Sequence, residues 1–193
     1  MTADYFKSCK NIIGDLPTGN PLDYTLSVVG NTNREGMVFA GTGHAFYYSF
    51  DNGRHWVHFN KGLPPAPVDW INIQAHMHDV DVSTYGRGDY RLPDSVTLEQ
   101  TGNTEPSASG ATRLFKPGEV FRQARSAYPT AAQPARPQFQ FYLASGPKNP
   151  VRMQILDSQG KVIRTEKLEA HRGLHGAYCD LFYDTPSDVQ LRT

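Results

Sequence analysis

Cysteine is nearly missing from this sequence. Only Cys9 and Cys179 occur in 193 residues, at opposite ends of the chain. That excludes a disulfide-dense scaffold, and it excludes the closely spaced cysteines of a structural zinc site. Net charge is missing too. The 19 Lys+Arg balance the 19 Asp+Glu, so no basic field exists to draw a nucleic acid or an anionic membrane surface. No apolar run reaches the length that a transmembrane helix needs. The first residues, Met1 to Lys7, contain no apolar core of a signal peptide. Neither nucleic-acid binding nor membrane insertion is therefore expected.

What is abundant points to strands and turns. Aromatics make up 11% of the chain, alongside 14 Pro and 17 Gly, a composition suited to an all-β fold with many reversals. The clearest local signal is Ser49-Phe50-Asp51-Asn52-Gly53-Arg54-His55-Trp56, set between Ala45–Tyr48 and Val57–Phe59. Asp and Asn hydrogen-bond their own backbone in turns, and Gly takes positive φ without steric cost. Aromatic runs on either side predict a β-hairpin.

The pattern Ser-x-Asp-x-Gly-x-x-Trp, carried by Ser49, Asp51, Gly53 and Trp56, resembles the Asp-box of the sialidase-like and sortilin-like bacterial neuraminidase repeat (BNR) β-propellers. In that family the box is the turn between the third and fourth strands of a blade. The resemblance implies a structural role, with the carboxylate holding turn amides. A worn copy runs from Thr2 through Asp4 to Cys9, with Phe6 in place of the Gly and Cys9 in place of the Trp. The spacing from Thr2 to Ser49 falls within the roughly 40–50 residues of a propeller blade. Both copies also run into similar tails, Ile12–Pro17 and Phe59–Pro64.

One blade's strands are predicted at 26–29, 37–42, 45–49 and 56–60. Gly41 and Gly43 resemble the family's small-residue strand end, and close packing of strands explains them better than a phosphate cradle, since no helix pattern follows. A second blade is predicted from Val68–Ile73 through Asp79–Tyr90, resembling the family's final blade. Within it, Arg87 between two glycines reads either as an anion-binding group or as a residue ordering the blade against its neighbour. His76 and His78, on a strand, would share one face as a metal pair requires. No further His or Cys follows at ligand spacing, and no metal or cofactor is expected.

The composition changes at Pro93. Residues 94–137 read as an extended, proline-rich strap. Alternation returns at Gln138–Leu143, Val151–Leu156 and Lys161–Thr165, with a further strand at Val189–Thr193. Met153–Thr165 followed by Gly173–Leu181 looks like the Ig-like sandwich that follows such propellers and occurs in flagellar-hook capping proteins. The fold expected is thus all-β. A partial β-propeller of about one and a half blades over 1–93 is joined by the strap to an incomplete Ig-like β-sandwich over 138–193. Both ends read as cut, so the chain is expected to be a C-terminal fragment of a larger propeller protein, with the remaining blades of that parent among its partners, or a degenerate remnant of one.

The resemblance implies a non-catalytic interaction or structural segment that binds protein or glycan, in a parent that is secreted or displayed at the cell surface. The alternative is part of a glycoside hydrolase, sialidase- or xyloglucanase-like, whose catalytic residues lie mostly outside this chain. Such chemistry needs paired carboxylates, or Tyr and Glu, facing one pocket. The acids Asp69, Asp79, Asp81 and Asp89 match no such motif, and no residue is assigned a catalytic role.

Overall fold

Apolar and aromatic residues along 37–49 build the core of the N-terminal part of the structure. Side chains on a strand point alternately to opposite faces, so Met37, Phe39, Phe46 and Tyr48 gather on one side and Val38, Ala40, Ala45 and Tyr47 on the other. The computed structural model describes residues 7–102, 111–120 and 137–179. Its backbone falls into two units, Met1–Glu105 and Pro106–Thr193. All sheets among the described residues are antiparallel.

In the first unit, β1 (Thr25–Gly30), β2 (Val38–Thr42), β3 (Phe46–Ser49) and β4 (Val57–His58) form a four-stranded meander in chain order. A second meander follows with β5 (Val68–Gln74), β6 (Asp79–Thr84) and β7 (Gly88–Leu92). The first sheet's Met37, Phe39, Phe46 and Tyr48 pack on Val68, Ile71, Val80 and Val82 of the second. Every residue of β2 is buried, because its other face is covered as well. There Ala40, Ala45 and Tyr47 meet Leu16 and Trp56.

Gly41 lets the two sheets approach. A Cβ on it would sit 2.5 Å from both the side chain and the carbonyl oxygen of Val68, and 2.6 Å from the Ser27 hydroxyl. That hydroxyl itself donates to the Val68 carbonyl at 3.0 Å. Gly41→Ala is therefore expected to cost about 1–3 kcal/mol by overpacking. Urea denaturation measures it, and a loss within error of zero would show the contact to be slack.

Residues 94–102, read from sequence as part of an extended strap, include a short helix, α1 (Val96–Thr101). Leu98 packs it against the main core. The Glu99 carboxylate accepts from Asn31 Nδ2 at 2.9 Å and Ser95 Oγ at 3.0 Å, and pairs with His78 Nδ1 at 2.8 Å. The strand expected to align His76 with His78 is a turn instead. β5 ends at Gln74, and His78 has φ 54°. The two imidazoles therefore do not line a strand face, and His78 serves to hold the helix.

The second unit contains β8 (Arg113–Leu114), β9 (Gln138–Leu143) and β12 (Gly173–Tyr178) in a sheet ordered β12-β9-β8, and a separate hairpin of β10 (Val151–Leu156) and β11 (Val162–Leu168). Asp157 closes that hairpin, accepting the Gln159 and Lys161 amides at 2.9 Å each. Leu114, also read as strap, pairs with Phe141 in β9. The strand predicted at 189–193 lies outside the described residues.

Candidate binding face

The turn Ser49–Trp56 is knit together by the side chains of Ser49 and Asp51. Ser49, fully buried, accepts the Gly53 amide at 2.9 Å and donates to Asp51 Oδ1 at 2.9 Å. The same Oδ1 accepts the amides of Arg54 at 3.0 Å and His55 at 2.9 Å, while Oδ2 meets the His55 ring. Burial works to raise the Asp51 pKa. The His55 amide and ring, the Ser49 hydroxyl and the Arg54 amide together outweigh it and hold the carboxyl well below its usual range. In return, the hydrogen bond and charge of Asp51 raise the His55 pKa.

Gly53 has φ 77°, and a Cβ there would lie 2.7 Å from the Ile12 carbonyl. Trp56 is tied to the same N-terminal segment at two points. Its amide donates to Asp15 Oδ1 at 2.7 Å and its indole N–H to the Ile12 carbonyl at 3.1 Å. Asp51 is thereby occupied with its own turn. Thr2 and Asp4 of the worn copy lie outside the described residues, and Cys9 is exposed. An open, mainly apolar groove of about 280 Å³ runs between this segment and the sheet, lined by Ile12, Ile13, Val28, Ala40 and Trp56 among others.

The two faces of the β5–β7 sheet differ sharply in chemistry. One is the apolar face already described. On the other, cross-strand pairing sets Trp70, Ser83 and Asp89 in one row, Asn72, Asp81 and Arg91 in the next, and Gln74 beside Asp79 beyond them. Trp70 is 69% exposed, an unusual state for the largest apolar side chain. Arg91 donates to Asp81 Oδ1 at 2.7 Å and lies 3.6 Å from Asp79 Oδ2. Its hydrogen bond to Asp81 and the charges of Asp81 and Asp79 raise its pKa.

Arg87 occupies the exposed turn between β6 and β7, at the Trp70 end of the sheet, next to exposed Tyr85. Asp69 is exposed at the register shift between Val68 and Trp70. The four acids noted in the sequence thus gather around one sheet and its tryptophan, a platform that sequence reasoning did not single out.

An exposed indole on a polar sheet face can stack on a ligand ring, while the neighbouring amide, carboxylate and guanidinium groups bond its rim. Comparison with family models, with curated proteins and with solved structures finds no match for this chain, so what the face binds has to be argued from its own chemistry.

Proposed function

We propose that this chain is a non-catalytic interaction segment built on β-propeller-type blades, and that its ligand is a glycan taken on the outer face of β5–β7. The observation that carries the reading is Trp70, 69% exposed beside Asn72, Asp81, Ser83, Asp89 and Arg91. A sugar ring is amphipathic in the matching way. Its C–H face is weakly positive and complements the negative face of an indole, and its hydroxyl rim pairs with planar side-chain amides, carboxylates and guanidinium groups.

Blade architecture draws support from the two consecutive meanders packed face to face, and from the position of the Asp51 turn between the third and fourth strands of the first. Leu26 and Val28, 41% and 48% exposed on β1, offer apolar surface on which a further blade could pack. The Trp70 face has a different composition. Apart from its tryptophan it is lined with polar side chains, where a blade-packing face would be apolar, as the sheet's own inner face is. An Ig-like reading of the second unit is supported by its two antiparallel sheets. Glycoside hydrolysis is disfavoured, because it needs an acid and a base turned toward one pocket. Here the carboxylates lie on an open face, and Arg91 engages two of them.

Titration of the full chain with a panel of glucose- and glucosamine-based oligosaccharides, read by calorimetry and tryptophan fluorescence, tests the reading. Trp56 and Trp70 are the two tryptophans of the chain, and exposed Trp70 is the one a ligand on this face would perturb. Trp70→Ala is expected to weaken binding at least tenfold, the scale of a lost aromatic anchor, while leaving the melting temperature unchanged. Trp70→Phe should retain part of the affinity. Equal affinity for the folded alanine variant, or binding confined to protein ligands, would overturn it.

A further inference from the structure

The charge on this face bears on which glycan it takes. Asp69, Asp79, Asp81 and Asp89 all belong to β5–β7. The cations of the same sheet are Arg91 on β7 and Arg87 in the turn before it. Arg91 pairs with Asp81 and Asp79, so its charge is already balanced on the face. Asp69 and Asp89 are exposed and lie outside those ion pairs. They bracket Trp70, one adjoining it in the chain and the other two strands away in the same row. Two strand spacings amount to about 10 Å, the reach of a short oligosaccharide.

Resting on the glycan reading above, we infer that the face selects a cationic amino-sugar oligosaccharide, a glucosamine oligomer with free ammonium groups, over neutral and acidic glycans. One ring stacks on Trp70, and ammonium groups on this ring and its neighbours meet Asp69 and Asp89. An ammonium beside the indole also gains from the ring quadrupole. A sialylated glycan brings its carboxylate toward Asp69 and Asp89 and finds only Arg87 to receive it. Like charges brought together at an interface act as a rejection device.

The test compares glucosamine tetramer, its fully N-acetylated counterpart and sialyllactose on the full chain. It is run at pH 6, in low salt and again in 0.5 M salt. Glucosamine tetramer is expected to bind roughly tenfold tighter than the acetylated form in low salt, the sum of two exposed ion pairs. High salt should shrink that advantage severalfold, as the Debye length contracts to a few ångströms. Asp69→Asn/Asp89→Asn should abolish it while leaving the acetylated tetramer's affinity in place, and sialyllactose should bind weakest.

Equal binding of the two tetramers, with both lost in Trp70→Ala, would overturn the charge preference and leave the glycan reading standing. Sialyllactose binding tightest would overturn it as well. So would a preference that survives the double Asn substitution. Glucosamine binding that persists undiminished in Trp70→Ala would reduce it to diffuse charge attraction and sink both ideas.

Discussion

Phe39→Ala is expected to remove about 3–5 kcal/mol from the stability of the first unit, the range for truncating a buried Phe. Phe39 is fully buried and stacks on Phe46 with ring centroids 5.6 Å apart and planes within 5°. Its strand β2 is covered on both faces, so little backbone is free to move in and fill the cavity. A loss of that size is a large share of the 5–15 kcal/mol that typically holds a domain together, and partial unfolding at 37 °C should follow. Phe39→Leu keeps most of the apolar volume and should cost clearly less. Both tryptophans belong to Met1–Glu105, so their fluorescence in a urea titration reports this unit without the other. A loss below about 1 kcal/mol for the alanine variant would show that Phe39 does not organise the core.

Much of the first sheet is legible in sequence because β2 and β3 pair in unbroken register, and the one shift falls at the start of β1, between Thr25 and Ser27. The expected spans 37–42 and 45–49 become Val38–Thr42 and Phe46–Ser49. The outer strand shrinks from 56–60 to Val57–His58. Its first expected residue, Trp56, sends its amide to Asp15 instead of into the ladder. Helix α1 is harder to read. Six residues show less than two turns of periodicity, and its main anchor, Glu99, finds partners at Asn31 and His78, far away in the chain.

The Trp70 face escapes a sequence reading for a more specific reason. Counting by twos from buried Val68 puts Trp70 on the same side, which makes it look like one more core residue in Val68-Asp69-Trp70-Ile71. The structure has a register shift between Val68 and Trp70. One extra residue on a strand sends every later side chain to the opposite face. Ile71 therefore becomes the buried neighbour of Val68, and Trp70 turns outward with Asn72 and Gln74. Turn chemistry behaves differently. Asp51 accepts the nearby Arg54 and His55 amides while Asn52 and Gly53 take positive φ, so a short stretch of sequence contains most of the parts.

Asp51→Ala separates the structural turn from the binding face. It removes the acceptor of the Ser49 hydroxyl, of the Arg54 and His55 amides and of the His55 ring. Hydrogen bonds to a charged group contribute about 1.5–3 kcal/mol when buried. Much of this turn meets solvent, which screens the imidazole pair, so a loss of about 2 kcal/mol is expected. The sign with pH follows from the direction of each shift. The folded Asp51 carboxyl sits below its ordinary value, so its stabilisation is present above about pH 4 and is lost as pH falls through that value and below. His55 is shifted upward, so its contribution holds below about pH 6.5 and fades as pH rises through and beyond it. The wild-type melting temperature should therefore fall toward both ends of the range. The Asp51→Ala profile should be flatter at both, since one substitution removes both couplings. Asp51→Asn, which keeps one carbonyl acceptor, should lose less stability yet show the same flattening. Glycan affinity through Trp70 should stay within about twofold in either variant, because the turn lies on the other sheet and additivity holds for sites without shared partners. Parallel pH profiles for wild type and Asp51→Ala would refute the assignment of the titration to this carboxylate. A selective loss of ligand affinity at unchanged stability would move the binding site to the turn.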